Sequence, residues 1–232
     1  MGYARLCPCA SNGEYRDFMT SRSVEDVFMT LLVTDSGLEE RLKRQRRASS
    51  ADCYDEVWEG VYVVTPMPNN EHQELVAGFT AVLQEIVVWP RLGKVCPGVN
   101  LSDRGDEWED DYRVPDVAVF LRAGRAQDLG THWRGPADFL IEITSLDDRT
   151  WEKIPFYERL GVRELVVVDR QPWSLQLYRN VSGQLQSVSE TDLQSGQVLA
   201  STVVPLSFRL VPGDSRPEIE IKHVPTGRCW LV

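Results

Sequence analysis

Phe139-Leu140-Ile141-Glu142-Ile143-Thr144 is the stretch on which the reading of this chain turns. Its aliphatic and β-branched side chains predict a strand, and apolar residues on both sides of the acid predict that the strand is buried. Upstream, Val114-Pro115-Asp116-Val117-Ala118-Val119-Phe120 repeats the form, an acid set in an apolar run. A carboxylate among apolar neighbours is costly unless it is paired, protonated or bound to a metal ion. If the two strands are neighbours, both carboxylates can point at one spot.

Working outward, residues 150–160 have helical spacing, and Gly161 stands at the C′ position, where a left-handed residue ends a helix cheaply. Ser145 or Asp148 is the expected cap. Lys153 falls in the first turn and can be aimed back at the acids. Pro155 is expected there too, where free N–H groups tolerate proline. Tyr157 lies one turn beyond Lys153 on the same face and either braces its stem or packs in the core. Residues 164–169 form a near-continuous apolar strand, and 174–179 alternate as another. The tail, 181–232, alternates apolar and polar residues between Gly and Pro, which predicts hairpins such as 218–223 with 229–232.

Toward the N-terminus, 57–65 is a β-rich run ended by Pro66 and Pro68. Asn69 or Asn70 then caps a helix over 71–88, with Leu75, Phe79, Val82, Leu83 and Ile86 on one face and Pro90 as its stop. Residues 94–101 and 114–121 read as strands. Between them, 103–111 holds six acids, one Arg and one Trp, and is expected to be an exposed turn. A helix is predicted over 36–48, capped by Asp35 or Ser36. Its cluster of Arg41, Lys43, Arg44, Arg46 and Arg47 is either a solvated face or a phosphate contact. Residues 1–28 carry little signal and suggest an upstream extension, with Met29 as an alternative start. The order of elements predicts an α/β fold, a central sheet with a helix on each side. The expected division is an extension over 1–35, a core over 36–180 and a β-rich C-terminal extension over 181–232 packed on that core.

Composition narrows the function. The chain has 232 residues, with 25 Lys and Arg against 35 Asp and Glu, a net charge of −10. That balance argues against coating nucleic acid by bulk charge, though not against a local basic cleft. No apolar run approaches the roughly 18–20 residues that span a bilayer. Five scattered cysteines suggest a reduced, cytoplasmic chain. The phosphate loop G-x-x-x-x-G-K-[ST], the dinucleotide fingerprint G-x-G-x-x-G and the nucleophile elbow G-x-S-x-G are all missing, so ATPase, Rossmann dehydrogenase and α/β-hydrolase readings lose their support. An acid pair with a lysine remains, a set suited to phosphodiester hydrolysis. The alternative is structural: Asp116 caps a turn after Pro115, and Glu142 pairs with a buried Arg or Lys.

Pro115-Asp116, Glu142-Ile143-Thr144-Ser145, Glu152-Lys153, Tyr157, Gly161-Val162 and Val168-Asp169, together with Trp58-Glu59-Gly60-Val61-Tyr62-Val63 and Glu71-His72-Gln73, resemble the Uma-type restriction endonucleases of the PD-(D/E)XK nuclease superfamily. The resemblance covers about residues 53–180. It implies that superfamily's mixed central sheet flanked by helices, here with extra C-terminal β-hairpins. It also implies a Mg²⁺-dependent (or Mn²⁺-dependent) endonuclease with DNA as substrate. On it, Asp116 and Glu142 are metal ligands, with the carbonyl of Ile143 a third. The plainest superfamily pattern has a lysine two residues after the second acid; Thr144 holds that slot, and Lys153 on the next helix matches the family's placement. Glu59 and His72 match positions near the site. Glu59 would add a carboxylate. His72 would bind phosphate or assist proton transfer, or else is simply a satisfied polar residue at a helix start. Fold-level analogy suggests a homodimer, in contact through 174–179 or the C-terminal hairpin. The competing function is a degenerate nuclease fold serving as a nucleic-acid-binding or protein-interaction module. Trp58, Trp151, Trp173 and Trp230 read as packing or interface residues.

Overall fold

The computed structural model describes residues 30–144 and 149–232. The expected extension over 1–28, the alternative start at Met29 and the caps Ser145 and Asp148 therefore lie outside the described residues. The described part begins with strand β1 (Leu31–Val33) and helix α1 (Ser36–Ser49), which Asp35 caps by accepting from the Leu38 N–H at 2.7 Å. A hairpin follows, β2 (Glu56–Trp58) and β3 (Val61–Val64). The sequence predicted one run over 57–65. The break comes from Glu59-Gly60, both at positive φ (50° and 86°), the twist that a two-residue hairpin turn requires. These strands form a small sheet in the order β1-β3-β2. Arg46 of α1 pins it by donating to Asp55 at 2.5 and 2.8 Å and to the Thr65 carbonyl, so one member of the basic cluster is structural.

Helix α2 (Asn70–Leu83) is capped by Asn69 and runs into a π-helical turn over Gln84–Val88. Then come β4 (Gly93–Pro97), β5 (Leu101–Ser102), a 3-10 turn at Trp108–Asp110, β6 (Val117–Leu121), β7 (Gln127–Asp128), β8 (Trp133–Arg134) and β9 (Phe139–Ile143). The predicted strand over 94–101 is thus two strands. The acidic turn is not wholly exposed: Asp111 is buried between Arg113 at 2.9 Å and Arg159 at 2.8 Å. Helix α3 (Thr150–Leu160) leads to β10 (Glu164–Arg170) and β11 (Trp173–Val181). Pro155 sits past the first turn of α3, at an exposed position. Solvent there can satisfy the carbonyl that the proline leaves without a donor. The chain ends in β12 (Gln184–Thr191), β13 (Leu199–Ala200), β14 (Leu206–Val211), β15 (Glu218–His223) and β16 (Cys229–Leu231).

The main sheet has the order β12-β11-β10-β9-β6-β4. Within this sheet β9 and β10 alone pair in parallel, the connection that α3 makes possible. Alternation sorts its residues. Val117, Val119, Phe139, Ile141, Val166 and Val168 face α2, where Leu75 and Phe79 are fully buried. Ala118, Phe120, Leu140, Leu165 and Val167 face α3, against Phe156, Tyr157 and Leu160. Each such large side chain contributes roughly 1.5–3 kcal/mol by leaving water. The second sheet, β13-β14-β15-β16, closes the α2 side and shares its core, with Phe208 stacked 6.0 Å from Phe139. Gly78 permits this closure, since a Cβ there would meet the Val232 side chain at 2.4 Å. The architecture is therefore α/β: a mixed central sheet with a helix on each face and added C-terminal hairpins.

Candidate active site

The period of two places Glu142 on the α3 face of β9, beside Leu140. Asp116 stands one residue before β6, the antiparallel neighbour of β9, where Val117 pairs with Ile141. The two acids are thus adjacent, as the sequence required of any shared site. Asp116 Oδ2 accepts the Ile143 N–H at 2.7 Å, which fixes the carboxylate against the end of β9. Its other oxygen lies 3.2 Å from His72 Nε2, at the first turn of α2. His72 is 7% exposed, and its Nδ1 is buried with no hydrogen-bond partner among the described residues.

From the opposite side α3 delivers two groups. Tyr157 donates its hydroxyl to Glu142 Oε1, which gives this buried tyrosine a polar role as well as a packing one. Lys153 Nζ lies 3.5 Å from Glu142 Oε2 and 2.9 Å from Glu56 Oε1. Glu56 was not expected here. It is 2% exposed, its Oε1 accepts the Val114 N–H at 2.7 Å and its Oε2 accepts the Trp58 Nε1–H at 2.5 Å. The β2–β3 hairpin thereby fastens a third carboxylate to the peptide just before Pro115-Asp116.

Glu59, the expected extra carboxylate, is not brought to this cluster. It occupies the hairpin turn, with its side chain 74% exposed and 3.4 Å from Arg159. The strand begins one residue before the predicted start, so Glu56 and not Glu59 points inward. The signal was present: Glu59-Gly60 in mid-run marks a turn, and alternation back from Trp58 puts Glu56 on the same face. Thr144, in the slot of the missing lysine, donates its hydroxyl to Asp169 at 3.2 Å and does not reach the acids.

The electrostatics are those of crowded like charges. Burial pushes the Glu142 carboxyl up; Lys153 opposes this, Asp116 and Glu56 add to it, and the result is about 8. The Tyr157 hydroxyl is also raised, by burial and by Glu142. Glu56, His72, Asp116, Glu142 and Lys153 line one cleft of about 690 Å³, whose rim includes Trp58, Trp151 and Trp173. A family model described as "Putative restriction endonuclease", Uma2, matches residues 43–212.

The chain belongs to the Uma2 family. The fold described above is therefore that of a member of a family described as restriction endonucleases. Among solved structures, one titled as a putative nuclease belonging to DUF820 from Anabaena variabilis is similar to this Uma2 chain at 20% identity. The match covers 69% of this chain and 82% of that one, with a TM-score of 0.49. No curated protein sequence matches. Among the described residues no helix is long and apolar enough to cross a membrane, and Cys53, Cys96 and Cys229 are free thiols.

Proposed function

We propose that this chain is a Mg²⁺-dependent endonuclease that hydrolyses DNA phosphodiester bonds in the 690 Å³ cleft. The observation that carries the reading is a cluster of acids: Lys153 reaches both Glu56 and Glu142, and Asp116 stands beside Glu142 on the neighbouring strand with His72 against it. A structural ion pair would balance its charges. Burial and its neighbours raise Glu142 to about 8, so without a cation its carboxyl favours the protonated form, and a bound dication would take the proton's place. The donors are hard oxygens, as Mg²⁺ and Mn²⁺ require. Among the described residues no three Asp, Glu, His or Cys groups are arranged as a ready cage. The fit is accordingly to an ion held by one or two carboxylates with water, the usual manner for Mg²⁺. Asp116 and Glu142 would be those carboxylates. Because the Thr144 N–H turns to β10, the Ile143 carbonyl faces the Asp116 side and would be a backbone oxygen for the same ion.

When bound, the ion would supply charge neutralisation at the phosphate and a lowered pKa for attacking water. The chain's own residues would do the rest. Lys153, held between Glu56 and Glu142, presents an ammonium to the charge that develops on phosphate. Tyr157 orients Glu142 by its hydroxyl hydrogen bond. His72 holds Asp116 on one side and offers a buried ring as a phosphate contact or proton carrier.

Calorimetric titration with Mg²⁺ or Mn²⁺, paired with plasmid nicking, tests this reading. Wild type should bind metal and nick DNA only in its presence, and Asp116→Asn should do neither. Lys153→Ala should bind metal but cleave slowly. Equal metal binding by wild type and Asp116→Asn, or nicking unaffected by chelator, overturns it.

A further inference from the structure

The depth of the cleft limits what can reach its acids. Glu56 and Glu142 are each 2% exposed, whereas Trp151 at the rim is 40% exposed and Met67 is 60% exposed. The volume, about 690 Å³, is that of a small-molecule pocket, with room for one or two nucleotides and not for a rigid duplex. The rim is also aromatic and carries guanidinium groups, Arg149 paired with Glu152 and Arg216 3.7 Å from Glu71. The Arg149 guanidinium lies 5.6 Å from the ring of Trp58, and that of Arg216 lies 5.4 Å from the ring of Trp173. Among the described residues Trp151 carries no such cover, and its ring leans on Tyr178 at 6.4 Å. Trp173 also packs partly against the core, whereas Trp151 keeps 40% of its surface exposed at the cleft.

We propose that the cleft takes unpaired DNA, a single strand or a flap, with bases stacked on Trp151 and Trp173 while the phosphate descends to the acids. This rests on reading the cleft as a nuclease site and names its substrate class. Interleaved aromatic faces and guanidinium groups are what sequence-tolerant single-strand binding requires, since every base offers a π-face and every nucleotide a phosphate. Proteins that must bring a nucleotide into an enclosed site either flip it out of the duplex or accept it already unpaired. The second route avoids the unstacking cost.

The test is fluorescence anisotropy with a fluorescein-labelled oligo-dT and with a duplex of equal length, at low salt in chelator so that nothing is cut. Cleavage of the same two substrates in Mg²⁺ is measured separately. Wild type should bind the single strand at least about tenfold more tightly than the duplex. Trp151→Ala should weaken that binding by roughly 5- to 150-fold, the range of a lost base stack, and Trp151→Phe should retain most of it. Thermal melting confirms that both variants fold. Equal affinity for the two DNAs, or Trp151→Ala binding like wild type, overturns the proposal. Cleavage without strand preference overturns it too and leaves the nuclease reading standing. Strand-selective, Trp151-dependent binding with no cleavage supports it and overturns the nuclease reading instead.

Discussion

Two glutamates lie on adjacent strands of one sheet, and the protein treats them in opposite ways. Glu142 in β9 and Glu164 in β10 are both buried, 2% and 0% exposed. Glu164 is surrounded by donors. Arg179 reaches it at 2.8 Å, the Thr202 hydroxyl at 2.7 Å and the Thr202 N–H at 3.0 Å, and the Ser201 hydroxyl also donates to it. Burial alone would push its carboxyl up, but those bonds to Ser201, Thr202 and Arg179 outweigh it and hold the group below its ordinary value. Glu142 has one tyrosine hydroxyl and a lysine that it shares with Glu56, and two other carboxylates press on it. One glutamate is a finished structural bond. The other is left unbalanced at the floor of a cleft, and unbalanced charge is what a site that binds a cation and a phosphate needs.

The largest expected effect separates the two by activity. Glu142→Gln should lower metal-dependent cleavage by about 10³-fold, equivalent to about 4 kcal/mol, while leaving the protein folded. Glu164→Ala should do the reverse. It strands the Ser201 and Thr202 donors and should cost about 3 kcal/mol or more in urea denaturation, with the specific activity of the folded fraction little changed. If both variants lose activity and stability together, the contrast between a functional and a structural acid does not hold.

The pH dependence of stability in chelator should sharpen the contrast, because the two shifts have opposite sign. The Glu142 carboxyl is raised from about 4.5 to about 8, so the folded state keeps a proton that the unfolded chain releases. That contribution is full below the unfolded value and is lost as pH rises toward 8. Glu142→Gln should therefore be more stable than wild type at pH 8, by about 1–4 kcal/mol, with the gap closing by pH 5. The Glu164 carboxyl is lowered, so its contribution is present above the unfolded value and is lost as pH falls through the folded one. The deficit of Glu164→Ala should accordingly be largest at neutral pH and shrink in acid. Melting temperatures across this range check both slopes.

The same pair shows what could be read from sequence and what could not. Asp116, Glu142 and Lys153 were legible because a charge inside an apolar run is conspicuous, and because strand and helix periods say where it points. Glu164 opened an apolar run just as clearly, yet its partners Ser201 and Thr202 come from a turn more than thirty residues away. Nothing local marks them. The C-terminal hairpin of β15 and β16 was legible from alternation around Pro225-Thr226-Gly227, but the packing of its sheet on α2 depends on Gly78 and Val232 approaching each other, a long-range fact. The rim tryptophans read as packing residues because composition gives no direction; only burial distinguishes Trp151, exposed at the cleft, from a core ring.

The smallest effect tests the hairpin that chose between two further glutamates. Glu59 lies in the turn, exposed, with Arg159 as its partner, and Arg159 also reaches Asp111 at 2.8 Å and Asp103 at 3.5 Å. Removing one exposed member of that network should change stability by no more than about 0.5 kcal/mol. Glu59→Gln should likewise leave kcat and metal affinity unchanged. Glu56→Gln, three residues earlier, should lower kcat by about 10- to 100-fold, because it releases Lys153 from a carboxylate 2.9 Å away that aims it. Melting temperature and kcat of the two variants, measured side by side, decide the matter. A matching loss in both would mean that the β2–β3 register is shifted and that Glu59, as the family resemblance implied, lies near the site after all. The difference expected between them follows from one glycine: Gly60 at φ 86° closes the turn and fixes which glutamate the strand presents to the cleft.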